Sequence, residues 1–227
     1  MSQIPRSVFD FLVDLKENNN REWFQENKPR YEAAHQNMIA FADTLLDEMR
    51  THDLIETPSG KKSLYRIYRD VRFSKNKAPY KSNWGGSFRR ATASLRGGYY
   101  YQIEPGNCFC AGGFWGPNKE DLARIRQEID LDAAEFREVL AGEGLVETFG
   151  QMGGQALKTA PKGYPKDHPD VDLLRHKGFV FRHNFTDREV LGKQFAQKLS
   201  ATFQELRPFF DYMSEVLTTD ANGVSII

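Results

Sequence analysis

Cysteine is scarce: the 227 residues contain two, Cys108 and Cys110. Two positions apart on an extended segment, they point to the same side and cannot easily close a normal disulfide, so a disulfide-stapled fold is excluded. No zinc-ligand spacing surrounds them, and both are expected as small buried hydrophobes, with no metal site. No run approaches the roughly 18 apolar residues that span a bilayer. Met1 to Pro5 leads straight into an amphipathic helix with no signal-peptide pattern, so a cytoplasmic chain with no membrane association is expected. The sequence also lacks a G-x-S-x-G elbow, a Walker loop and a dinucleotide fingerprint, which disfavours the enzyme classes that depend on them.

Net charge is absent as well, with 31 Lys and Arg against 31 Asp and Glu, but the balance is uneven along the chain. Between Lys61 and Arg96 stand eleven cations and a single acid, Asp70. The remainder therefore carries about ten net negative charges, and such segregation creates a local positive potential that average composition hides. Its centre is Leu64 to Trp84, LYRIYRDVRFSKNKAPYKSNW.

As a strand, this stretch puts Tyr65, Ile67, Val71 and Phe73 on one face and Arg66, Tyr68, Asp70 and Arg72 on the other. Arg69 falls in the apolar row, where it must find a carboxylate, lie at a sheet edge or mark a bulge. Asp70, two residues from Arg72 and four from Arg66, is placed to orient one or both guanidinium forks, the geometry that suits phosphate or carboxylate. Ser74 to Pro79 is expected to turn. Lys75, Lys77 and Lys81 then hang beside the strand, with Tyr80 and Trp84 offering rings on which bases or sugars stack. The candidate ligand-binding set is thus Arg66, Arg69, Arg72, Lys75, Lys77, Tyr80, Lys81 and Trp84. The same residues also suit an ordinary solvated basic strand and turn, with surface ion pairs worth about 0 to 1 kcal/mol.

Hydrophobic spacing sets the rest. Val8, Phe9, Phe11, Leu12 and Leu15 mark a first helix ended by Asn18 to Asn20, where an asparagine in the left-handed region suits a helix end. Asn19 and Glu22 resemble a capping box for the next turn. Tyr31, Ala34, Met38, Phe41, Leu45 and Met49 line a long helix from Pro29, on which His35 is expected partly buried. Ser87 to Thr92 is a short strand candidate after Gly85-Gly86. Tyr99 to Glu104 and Asn107 to Phe114 form a hairpin through Pro105-Gly106 in a type II turn. Gly112 to Pro117 leads into a helix over 117–129, its glycines fitting tight packing better than an anion loop. A short helix over 133–140, a glycine-rich break over 142–154 and a lysine-rich loop over 158–169, able to act as a lid, follow. A helix over 170–176, a strand over 179–182 and a Thr186/Glu189-capped closing helix, kinked or restarted at Pro208, complete the chain.

Because helices lie before and after the strands, the fold class is α+β: an antiparallel sheet of about four to six strands packed against long N- and C-terminal helices. One domain over 1–227 is expected, helical over 1–50, with the basic strand and meander over 64–115, helices and loops over 117–176, the strand 179–182 and helices over 187–217.

The segments NNNREWFQENKPRYE, RIYRDVRFSKNKAPYK, GGYYYQIEP with CFCAGGFW, and LKTAPKGYP with FVFRHNF resemble the bacterial and fungal family numbered 2461 among the domains of unknown function. The resemblance covers nearly the whole chain, implies one domain over most of its length and supplies no reaction, cofactor or catalytic residue. From the residues, the favoured function is binding of a phosphate-containing ligand, either nucleic acid or a phosphorylated small molecule. One alternative is a protein-interaction module whose basic face docks an acidic partner or the acidic remainder of a second copy. The other is phosphoryl transfer or hydrolysis, with Asp70 as base or metal ligand and Tyr80 or a lysine as acid. A metal-assisted reaction normally gathers several carboxylates, and others such as Glu104 or Glu22 would have to arrive through folding.

Overall fold

The apolar residues at helical spacing near the start are buried together. In the computed structural model, which describes residues 3–220 and 223–227, Val8, Phe9, Phe11, Leu12 and Leu15 are the buried face of α1 (Arg6–Glu17). Met1 and Ser2 of the opening stretch lie outside the described residues. The helices that follow are α2 (Arg21–Glu26), α3 (Lys28–Met49) and the single turn α4 (Gly60–Ser63). The strands β1 (Trp84–Arg89), β2 (Gly98–Ile103) and β3 (Cys108–Phe114) come next. Four helices then run as α5 (Lys119–Leu131), α6 (Ala134–Leu140), α7 (Glu143–Phe149) and α8 (Val171–Leu174). The strand β4 (Phe179–Phe185) precedes α9 (Asp187–Val190), α10 (Phe195–Gln204) and α11 (Arg207–Thr218). The strands form one antiparallel sheet in the order β1-β2-β3-β4, so the fold is α+β with four strands.

The chain forms two compact units: Met1–Phe88 with Tyr100–Cys110 and Asn184–Ala201, and Arg89–Tyr99 with Ala111–His183 and Thr202–Ile227. In the first, α3 buries Ala34, Met38, Phe41, Leu45 and Met49. Phe41 meets Tyr101 edge-on at 6.0 Å and stacks on Phe195 at 5.7 Å. In the second, Tyr99 packs edge-on against Phe203 and Phe210 at 4.9 and 5.0 Å. Both cysteines are buried. Burial pushes the Cys108 thiol up to about 12, which leaves it unreactive near neutral pH.

Several local expectations are corrected. Asn18 ends α1 at φ −118°, outside the left-handed region, and does so by turning its amide back to Asp14 O at 2.9 Å. The cap of α2 is Asn20, which accepts from Trp23 N at 2.9 Å, and this releases Asn19 for another task. The strand expected over 87–92 begins earlier, because Gly85 and Gly86 lie inside β1, Gly86 under the ring of Tyr101. The strand at 179 runs on to Phe185, and the helix near 170–176 shortens to α8. The glycine-rich break contains α7, and the closing helix is interrupted at 191–194 as well as restarting at Pro208, the second residue of α11.

Other expectations hold. The Thr186/Glu189 capping box is formed. Asn107 N donates to Glu104 O at 2.8 Å with Gly106 at φ +77°, the expected type II turn. At Gly113 a Cβ would fall 2.1 Å from Phe179 O, so close packing of β3 on β4 accounts for the glycine. The start of α5 is closed by the Asn118 side chain, which accepts from Asp121 N. Among the described residues, no helix is long and apolar enough to cross a membrane.

Candidate anion site on the 64–84 segment

The basic stretch is a two-limbed arm rather than a sheet strand. Leu64 pairs with Gly86 and Tyr68 with Tyr80 as isolated antiparallel bridges, joined by Tyr65 N to Gly85 O at 2.9 Å, Arg69 N to Pro79 O at 2.9 Å and Lys81 N to Ile67 O at 2.7 Å. Beyond Arg69 the pairing stops, since Pro79 has no N–H to return. The tip is then shaped by side chains bonding to main chain. Asn76 Oδ1 accepts from Ala78 N at 2.9 Å, and Lys77 Nζ donates to Val71 O at 3.0 Å.

The expected alternation fails with the strand. Ile67 is buried, but Tyr65 and Tyr68 are 46% and 56% exposed and Phe73 is 97% exposed. Arg69 settles its misplacement by donating to Ala78 O at 3.1 Å, tying the two limbs together without a carboxylate. Asn19 anchors the second limb: it donates to Tyr80 O at 3.0 Å and accepts from Tyr80 N at 3.1 Å, a reciprocal pair that imitates one rung of a sheet. The Tyr80 ring lies on Phe24 at 4.0 Å and 16°. Trp84 lies beside Tyr31 at 5.6 Å and His35 at 5.2 Å, both nearly parallel to it.

Tyr80 and Trp84, expected to offer stacking surfaces, are 4% and 1% exposed and hold the base of the arm. The aromatics open to a ligand are Tyr65, Tyr68 and Phe73. A clue to them lay in the sequence: each is flanked on at least one side by a cation or another exposed position, with no continuous apolar run to bury it.

Arg66, Arg72, Lys75 and Lys77 are exposed, while Arg69 and Lys81 are half-buried. Arg66 and Lys75 make no hydrogen bond or ion pair among the described residues. Arg72 forms a two-pronged pair with Asp70, Nε to Oδ1 at 3.0 Å and Nη2 to Oδ2 at 2.7 Å. That fork, followed by the field of Arg66, holds the Asp70 carboxyl below its usual range. Asp70 is therefore ionised and committed to orienting Arg72, with Arg66 only a neighbour in the field. Burial and then the charge of Arg66 lower the Lys81 ammonium, which lies 5.5 Å from the centre of the Tyr65 ring.

The catalytic candidates fare less well in this geometry. Tyr80 has its phenol pushed up, first by burial and then by Tyr68, so it is a poor proton donor near neutral pH. Glu104 is engaged by Gln102 and Asn107, each at 2.9 Å. Among the described residues, no three His, Cys, Asp or Glu side chains are grouped as a metal ion needs.

The eleven cations of 61–96 also divide. Arg90 is buried in the second unit against Asp211 and Ser214 Oγ, and Arg96 pairs with Asp121 there. The lysine-rich loop over 158–169 belongs to the second unit too, where His168 Nε2 meets Asp130 Oδ1 at 3.1 Å.

An α+β fold on a four-stranded antiparallel meander, with a cation-rich arm preceding the first strand, is the class of protein these elements define. The chain belongs to the family described as conserved hypothetical protein (DUF2461), which it matches over residues 7–212. No curated protein and no solved structure matches it.

Proposed function

We propose that the arm binds a phosphate-containing polymer, a single-stranded nucleic acid, with Arg66, Arg72, Lys75 and Lys77 along the backbone and Tyr65, Tyr68 and Phe73 against bases. The carrying observation is that exposed cations and exposed aromatic rings alternate on one short segment whose only carboxylate is already consumed by Arg72. Phosphates gain from the cations, and bases of any identity gain from the rings, so a strand is bound with little sequence preference.

A phosphorylated small molecule suits the arm less, because ligands of that size are normally held in concave sites that bury most of their surface. The cations here are spread over an exposed segment. Phosphoryl transfer would need a free base, and Asp70 is tied into its pair with Arg72. The test is fluorescence anisotropy with labelled single-stranded RNA and DNA at two salt concentrations. Binding that weakens steeply with salt supports the proposal. Absence of binding at low salt, in folded protein, refutes it and favours an acidic protein partner.

A further inference from the structure

The second unit carries a site of opposite character. Between α5 and α11 lies a slot of about 210 Å³, whose walls include Glu128, Leu131, Glu135, Tyr212, Glu215 and Val216. Arg124 also lines it, with its Nη1 directed to Thr219 O at 3.4 Å. Glu128, Glu135 and Glu215 make no side-chain hydrogen bond or ion pair among the described residues. Acidic residues alone would be an ordinary solvated face.

Tyr212 is what distinguishes this one. Its side chain lines the slot, is only 7% exposed and stacks its ring on Phe136 at 5.1 Å and 7°, and its hydroxyl has no hydrogen-bond partner among the described residues. The ring is packed while the hydroxyl is left open to a partner from outside the protein. Burial, then Glu128, Glu135, Asp132 and Glu215, push its ionisation up, so it stays neutral and retains lone pairs to offer.

The occupant these groups fit is an organic cation. A divalent ion needs oxygens converging at roughly 2.0 to 2.6 Å, and no group of three or more such side chains converges among the described residues. Dispersed carboxylates around a slot that also presents Leu131 and Val216 suit a chain with several ammonium groups separated by methylenes: the ammoniums donate to carboxylate and phenol oxygens, the methylenes cover apolar side chains. We propose that the slot between α5 and α11 binds an aliphatic polyamine, with Tyr212 accepting from one ammonium and Glu128, Glu135 and Glu215 neutralising the others.

The experiment is calorimetric titration of nucleic-acid-free protein with spermidine, alongside Mg²⁺ at matched ionic strength. Saturable binding of spermidine is expected, weakened about tenfold by Tyr212→Phe, which removes one charge-assisted hydrogen bond and keeps the stacked ring. A similar loss is expected from Glu215→Gln. Lys75→Ala, in the other unit, should leave it unchanged, so this site and the arm fail or stand separately. Absence of saturable binding, equal binding of Mg²⁺, or full affinity in Tyr212→Phe and Glu215→Gln would each overturn the assignment.

Discussion

If the arm contacts a single strand through Arg66, Arg72, Lys75 and Lys77, the number of phosphates engaged can be counted from salt dependence. Each contact to a single strand contributes about 0.7 to the log-log slope, so four contacts give a slope of about −2.8. Raising salt from about 50 to 200 mM should then weaken binding about 50-fold. Lys75 is the cleanest position to remove, because it makes no hydrogen bond or ion pair among the described residues. Lys75→Ala should flatten the slope to about −2.1 and reduce the loss over the same salt range to about 18-fold, without affecting folding. Lys77→Ala should do more than subtract one contact, since its ammonium also holds Val71 O at the tip. Arg72→Ala should weaken binding more than Arg96→Ala, because Arg96 is paired with Asp121 in the other unit. The assay is oligonucleotide anisotropy across a salt series. A wild-type slope no steeper than about −1, or one unchanged by Lys75→Ala and Arg66→Ala together, would refute a polymer tracked along this arm.

Four further outcomes follow from local packing. Asn19→Ala breaks both bonds to the Tyr80 peptide and should cost about 1–3 kcal/mol. Native-state hydrogen exchange should show faster exchange at Arg69 and Lys81, and oligonucleotide affinity should fall although no charge has changed; unaltered protection would mean that Asn19 is not the anchor. His35 is held below its ordinary value of 6.5 by burial first and Lys61 second. The folded state thus prefers neutral His35, so its contribution to stability is intact above about pH 6.5 and declines as pH falls below it, where the unfolded chain takes up the proton first. NMR titration should place His35 below 6.5, and Lys61→Ala should move it partway back. Gly86→Ala puts a methyl 2.4 Å from the Tyr101 ring and should cost about 1–3 kcal/mol, read as a lower urea midpoint at constant slope. Gly116→Ala meets nothing within 4 Å and should be near neutral.

The helices were legible because their signal is local. Five apolar positions in α1 and six in α3 recur at a spacing only one secondary structure satisfies, and all but Tyr31 of α3 are buried. The Pro105-Gly106 hairpin and the Thr186/Glu189 cap were legible for the same reason: each is a motif whose partners lie within four residues. What was not legible depended on partners far along the chain. Gly85-Gly86 looked like a connection because glycine is depleted in strands, yet Gly86 is required in β1 by Tyr101, fifteen positions on. Asn19 and Asn20 were interchangeable as caps until Tyr80 claimed Asn19 across 61 positions.

The arm shows the same division. Its oriented fork was readable because Asp70 and Arg72 are two residues apart, and its turn was readable from Asn76 and Pro79. Its faces were not, because alternation decides burial only where a sheet continues on both sides, and these limbs meet at two isolated bridges. The charge count misled for a related reason. Arg90 and Arg96 raised the apparent positive excess of 61–96, but their carboxylates, Asp211 and Asp121, lie 121 and 25 positions away, outside the stretch over which that charge was summed. Removing such pairs concentrates the unmatched positive charge on 61–81. The acids of the second unit include Glu128, Glu135 and Glu215, which form no side-chain ion pair among the described residues. Neutrality of the whole chain thus resolves into two regions of opposite sign, one in each unit, and the two proposals assign a ligand to each. An oligonucleotide and a polyamine titrated into the same sample should therefore bind with additive heats once their mutual association is subtracted, whereas competition for one region of the protein would contradict the assignment of both.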